Sequence, residues 1–178
     1  MKLFNCIAVS LFCILMVGCE RQADLTNVQK YAKDGVSFSI PGNWKVTEDK
    51  SDNGFRYLIV ETSGNALLAV NIYPKEHSIA LRKHVEDMIE FSIKEMPFGT
   101  RTKGTVSEVK SSFEGRTLHG YKNEFVISLT GVNVPHEGVF YSFNSDLQIA
   151  YVSSQVATED FSKVKNGFEL VLSTFELR

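Results

Sequence analysis

Beyond residue 19 this chain has no cysteine; its three lie at Cys6, Cys13 and Cys19. A disulfide framework, a thiol nucleophile and a cysteine-based metal site are thereby excluded from the body of the protein. A long hydrophobic run is also missing. Residues 6–17 are apolar apart from Ser10, and that falls short of the about 20 residues a spanning helix needs. Neither charge dominates: 19 basic side chains stand against 21 acidic ones, a formal charge of −2. Nothing resembles the basic stripe of a nucleic-acid binder. The chain has no Gly-x-Ser-x-Gly elbow, no Walker A loop and no His-Glu-x-x-His. Internal repeats, low-complexity tracts and an acidic tail are absent as well.

What is present begins at the N-terminus. Lys2 precedes the apolar run, which ends at Met16-Val17-Gly18-Cys19. This has the form of a bacterial lipobox. A peptidase would cut between Gly18 and Cys19, and Cys19 would then carry acyl chains such as palmitate. Met16 stands where that pattern prefers Leu, a swap between apolar side chains of similar size. Residues 1–18 therefore read as a lipoprotein signal peptide. Residues 19–27 read as the lipidated cysteine and a polar tether, and residues 28–178 as a single domain. The tether from Glu20 to Asn27 would reach at most about 26–29 Å when fully extended. Two or more acyl chains hold a protein stably, at about 0.8 kcal/mol per buried methylene. Glu20, not Asp, follows the cysteine. In enterobacterial-type sorting that favours the outer membrane facing the periplasm, with the inner membrane as the alternative.

The domain is long enough to bury about 70% of its unfolded surface. Residues 28–33 and Val36-Ser37-Phe38-Ser39-Ile40 read as strands around the turn pair Asp34-Gly35. Residues 44–46, 55–62 and 66–73 continue the pattern, with turns at Pro41-Gly42-Asn43, Asp52-Asn53-Gly54 and Ser63-Gly64-Asn65. A first helix is expected over residues 79–96, capped by Ser78, with Leu81, Val85, Met88, Ile89 and Met96 on its apolar face. Strands resume over residues 105–113, 117–129, 139–143 and 147–154. Residues 131–138 read as a loop containing Pro135. A second helix is expected over residues 159–175, capped by Thr158, with the stripe Phe161, Val164, Phe168, Val171, Leu172 and Phe175. Several middle strands are apolar on both faces, which implies cover on both faces. The fold class that follows is α+β: a largely antiparallel sheet covered by helices on both faces, an α/β/α sandwich.

Few residues suggest chemistry. His84, Asp87 and Met88 share one stretch of the first helix and could together hold a borderline metal. The simpler reading places Met88 in the core and His84 and Asp87 on the helix surface. Asn133, His136 and Glu137 fall in the 131–138 loop and are candidates for contact with a partner. Arg101-Thr102-Lys103-Gly104 reads as a solvated basic turn. Trp44, the only tryptophan, reads as core. Gly167, inside the second helix, suggests close packing there.

Three local sequences carry a family resemblance. Gly35-Val36-Ser37-Phe38-Ser39-Ile40-Pro41-Gly42-Asn43-Trp44 resembles the opening strand, Pro and Trp of the PsbP-like superfamily. Within that group it is especially similar to the bacterial DcrB-like lipoproteins. Phe113-Glu114-Gly115-Arg116 resembles a mid-chain hairpin of these proteins, and Ser173-Thr174-Phe175 their closing helix. The likeness covers about residues 28–178. It implies an α/β/α sandwich and a non-enzymatic, accessory role in the cell envelope, and it brings no catalytic residue. The expected function is thus binding by a lipid-anchored envelope protein. Its partners would be the membrane, through acylated Cys19, and an envelope protein; no nucleic acid, metal or cofactor is expected. A small-ligand or lipid-binding module is the first alternative. A hydrolase, using a serine beside His119 or His136, is the least supported.

Overall fold

The computed structural model describes residues 22–64, 66–96, 98–113 and 115–178. Residues 1–18, which read as a signal peptide, and Cys19, the expected lipidation site, lie outside the described residues.

The chain opens with a hairpin of β1 (Gln29–Lys33) and β2 (Val36–Ile40). The strands β3 (Lys45–Asp52), β4 (Phe55–Glu61) and β5 (Ala66–Pro74) follow as a meander. Helix α1 (Leu81–Lys94) leads to β6 (Thr100–Arg101), β7 (Thr105–Phe113), β8 (Arg116–Leu129), β9 (Val132–Asn144) and β10 (Gln148–Ala157). Helix α2 (Phe161–Thr174) and β11 (Glu176–Leu177) end the chain. The turns Asp34-Gly35, Asn53-Gly54 and Thr130-Gly131 have positive φ at both residues. That backbone matches the right-handed twist of hairpin strands.

The large sheet is antiparallel throughout, in the order β3-β4-β5-β10-β9-β8. On the far side of β8, β7 and β6 pair in succession. A small sheet, β1-β2-β11, forms separately. It packs with α2 on one face of the large sheet, where most of the core lies. Strand alternation sorts the side chains. Leu68, Val70 and Ile72 of β5 and Ala150 and Val152 of β10 enter this core, as do Leu58 and Val60 of β4. Trp44 is 2% exposed, and its ring lies edge-on to Phe168 at 5.4 Å. A Cβ on Gly167 would stand 2.5 Å from the Trp44 ring, so the glycine permits this approach of helix to tryptophan.

The opposite face is covered less. Helix α1 places Val85 and Ile89 against Phe140 of β9, with Tyr121 of β8 beside them. It reaches β6, β8 and β9. On the β5 stretch of that face Leu67 stays exposed and Ala69 half-buried. The expected helix-covered sandwich is therefore only partly formed. One face carries a mixed layer of helix and sheet, and the other a single short helix over one end.

Three expectations are corrected. Residues 132–138 are strand, not loop: β9 pairs with β8 across Val126↔Pro135 and Leu129↔Val132. Pro135 is tolerated because β9 has its last β10 pair at His136↔Ala157, and beyond it one side of the strand is free. Ser78 and Thr158 do not cap the helices. Helix α1 starts after Ala80 and α2 after Asp160, neither with a side-chain cap. Finally, the tether is not free along its length. Ala23 N–H donates to Lys163 O (2.9 Å), Asn43 Nδ2 to Gln22 O (2.9 Å) and Gly42 N–H to Asp24 O (2.8 Å). Asp24 accepts from the Thr26 hydroxyl and amide and from Asn27 Nδ2, which hold its carboxyl at about 2. Among the described residues, contact with the domain begins at Gln22.

Candidate functional site

The amphipathic pattern of α2 hides an interruption. Phe161, Phe168 and Leu172 share a helix flank with Lys165 and Glu169, at helical spacing. That flank faces β7, β8 and β9 and leaves a cleft of about 270 Å³ between helix and sheet. Val109, Val139 and Tyr141 form its floor. The Tyr141 hydroxyl is 2.7 Å from Ser111 Oγ, and burial raises the phenol above its ordinary range. Lys122 stands in one wall, bridging Glu124 (2.9 Å) and Glu137 (3.2 Å). The two carboxylates hold its ammonium above the usual lysine range. Lys165 and Glu169, 3.8 Å apart, line the cleft from α2. The site can seat an apolar group and present charge of both signs around it. Its volume is just below that of most small-molecule sites.

The structure separates the residues suspected from sequence. Glu137 lines the cleft. His136, one position along the strand, points to the other face and stacks on Phe125 at 5.5 Å. Its Nδ1 lies 2.9 Å from Val134 O. Asn133 is exposed near the β8–β9 turn and accepts a hydrogen bond from Ser128 Oγ. His119 is exposed on β8, and among the described residues no serine hydroxyl bonds to either ring. His84, Asp87 and Met88 line one pocket with Tyr73, His77 and Tyr151. His84 is 4% exposed, not a surface residue, and stacks on Tyr151 at 3.9 Å. Burial lowers it to about 4, and among the described residues its Nε2 has no hydrogen-bond partner. Asp87 is paired with Lys83. No group of three metal-ligating side chains occurs among the described residues.

Arg101 is a further correction. It is buried at 8% exposure, not solvated. Its Nη2 donates to Asn123 Oδ1 (2.7 Å), and the guanidinium lies 3.7 Å from the centre of the Phe125 ring. Asn123 is fully buried and donates to Lys103 O and Thr105 O. Among the described residues no carboxylate bonds to Arg101, and burial lowers its pKa. Sequence pattern carried no sign of this. The cleft was more legible: the charged pair Lys165 and Glu169 breaks an otherwise apolar flank of α2.

By sequence, no protein family and no curated protein matches the chain. Solved structures match it by fold. PsbP of the cyanobacterium Synechocystis sp. PCC 6803 superposes with a TM-score of 0.55 at 14% identity, covering 99% of both chains. LpqN, involved in cell envelope biogenesis of Mycobacterium tuberculosis, gives a TM-score of 0.38 at 11% identity, covering 84% of this chain and 91% of that one. The fold is PsbP-like. No helix among the described residues is long and apolar enough to cross a membrane.

Proposed function

We propose that this chain is a lipid-anchored accessory protein of the bacterial cell envelope, DcrB-like within the PsbP-like group, that works by binding and not by catalysis. The observation that carries this reading is the cleft between α2 and β7–β9. Its apolar floor and its ionic pairs suit the capture of an apolar side chain presented by a partner protein. The lipobox at Met16-Val17-Gly18-Cys19 supplies the anchor. Gln22, three residues beyond Cys19, already contacts the domain, so the cleft would work close to its bilayer.

Crosslinking and mass spectrometry of the membrane-anchored protein test this. One dominant envelope partner is expected, lost in Cys19→Ala and lost again in Val139→Trp, which fills the cleft. A partner retained by Val139→Trp places the binding surface elsewhere. Recovery of abundant neighbours alone removes the reading.

The cleft also supports a second reading, a site for a small amphiphile whose polar end meets Lys122 or Lys165. Native mass spectrometry of protein purified from its own membrane would then show a retained mass, absent from Val139→Trp.

A further inference from the structure

The large sheet has two free edges, and they are built differently. At β3 the register with β4 breaks between Val46 and Glu48, a bulge. That strand also carries Lys45, Glu48, Asp49, Lys50 and Asp52 within eight residues. Bulges and dense charge are the usual protection of an edge against further pairing. At β7 neither is found. All nine residues pair with β8 in unbroken register, from Thr105↔Glu124 to Phe113↔Arg116. The strand carries two charges, Glu108 and Lys110. Its outer side has no strand partner among the described residues.

We propose that β7 pairs antiparallel with β7 of a second copy of this chain, about a two-fold axis at Val109. The argument is the order of residues in the strand. Centred on Val109, Glu108 of each copy faces Lys110 of the other, twice by symmetry. Ser107 faces Ser111, and Val109 faces its own equivalent. Residues directly opposite in an antiparallel pair share a face, and opposite charges there attract while like charges repel. Centring on Glu108 sets glutamate against glutamate, and centring on Lys110 sets lysine against lysine. The Val109 register is therefore selected by charge as well as by face. It also keeps Val109 and Ser111, which line the α2 cleft, on the same face in both copies. Each cleft would then have a partner strand beside it. The interface is isologous and closes at two copies.

Sedimentation velocity of the full chain in detergent, over a concentration series, tests this with charge reversals. The wild-type chain is expected to dimerise. Lys110→Glu alone and Glu108→Lys alone should each weaken dimerisation at least tenfold, because each sets like charges opposite at both positions. The double variant Glu108→Lys/Lys110→Glu restores complementarity and should dimerise as wild type does. Mixing the two single variants should produce a heterodimer. Circular dichroism checks that each variant is folded. A wild-type chain that stays monomeric at the highest concentration overturns the proposal. So does a dimer indifferent to both reversals, which would be using another surface. Failure of the double variant to recover while folded also overturns it. The outcome is independent of whether the cleft binds a partner, since Glu108 and Lys110 alternate along the strand with the cleft-lining Val109 and Ser111 and lie on its other face.

Discussion

The two faces of the large sheet bury different kinds of side chain. The face under α2 and the small sheet is apolar and closely fitted, with Trp44 pressed against Gly167 and Phe38 stacked between Tyr31 and Phe175. The charged cluster around Asp49 is satisfied there. Arg56 donates to both Asp49 oxygens (2.7 and 3.1 Å) and to Tyr31, and Lys33 reaches the same carboxylate. The α1 face holds fewer apolar contacts and, among the described residues, contains the two buried side-chain atoms without hydrogen-bond partners, His84 Nε2 and Arg101 Nε. Cooperative stability therefore resides mainly on one face, and the other tolerates polar burial under a thin layer.

Removing the best-fitted residue should cost most. Trp44→Ala is expected to lose about 3–5 kcal/mol in urea unfolding, the range for deleting a large buried aromatic. A loss below 1 kcal/mol would mean that α2 and the small sheet collapse onto the vacancy. The Asp49 cluster comes next. Asp49→Asn should cost about 2–3 kcal/mol, since it leaves the Arg56 guanidinium buried against a weaker acceptor. Arg56 holds the Asp49 carboxyl well below the usual carboxylate range. A depressed carboxylate stabilises at neutral pH, and that contribution is lost as pH falls below about 3.9. The variant's stability should therefore be flatter than wild type's in that acid range. Burial and the Asp49 carboxylate push Tyr31 up to about 12, which keeps the phenol protonated under all these conditions.

On the α1 face the effects should be smaller. Arg101→Met is expected to cost about 1–2 kcal/mol, the penalty for leaving Asn123 Oδ1 buried without its donor. Arg101→Met combined with Asn123→Leu would test that assignment. The Arg101 contribution should shrink once the orphaned acceptor is gone. His84→Phe should change stability at pH 7 by less than 1 kcal/mol, because the ring keeps its stack on Tyr151. Its signature is in pH. The folded-state value of about 4 lies below the unfolded value near 6.5. The unfolded chain thus binds the extra proton first, and wild type loses stability as pH falls from about 6.5 to 4. His84→Phe should remove that slope. An unchanged slope would assign it to other groups.

These contrasts show where local reading succeeds. Asp34-Gly35 and Asn53-Gly54 announced their hairpins, because turn chemistry is set by the residues in the turn. The alternation of Val36, Phe38 and Ile40 and the stripe Val164, Phe168, Val171 and Leu172 reported period and buried face correctly. His84 was expected on the helix surface because it is polar, although Leu81, His84 and Met88 stand at i, i+3 and i+7 on one face, and the structure buries it. The 131–138 stretch was misread because Gly131 and Pro135 are loop residues by composition. Whether a proline can stand in a strand depends on whether a neighbour needs its missing N–H. Only the end of β10 pairing at Ala157 answers that.

The sequence by itself determined what depends on neighbours along the chain: the apolar run ending at Cys19, the hairpin turns, the two amphipathic helices and the closeness of Gly167 to another element. Tertiary structure decided what depends on residues far apart in number. It brought Val109, Tyr141 and Phe168 to one cleft, turned Glu137 toward it and His136 away, and sealed Arg101 beneath Phe125. It also left β7 with an open edge and bent β3 out of use. The physical reason is range. Turn preference and periodicity act over a few residues, whereas burial, pairing and desolvation are properties of the assembled layers.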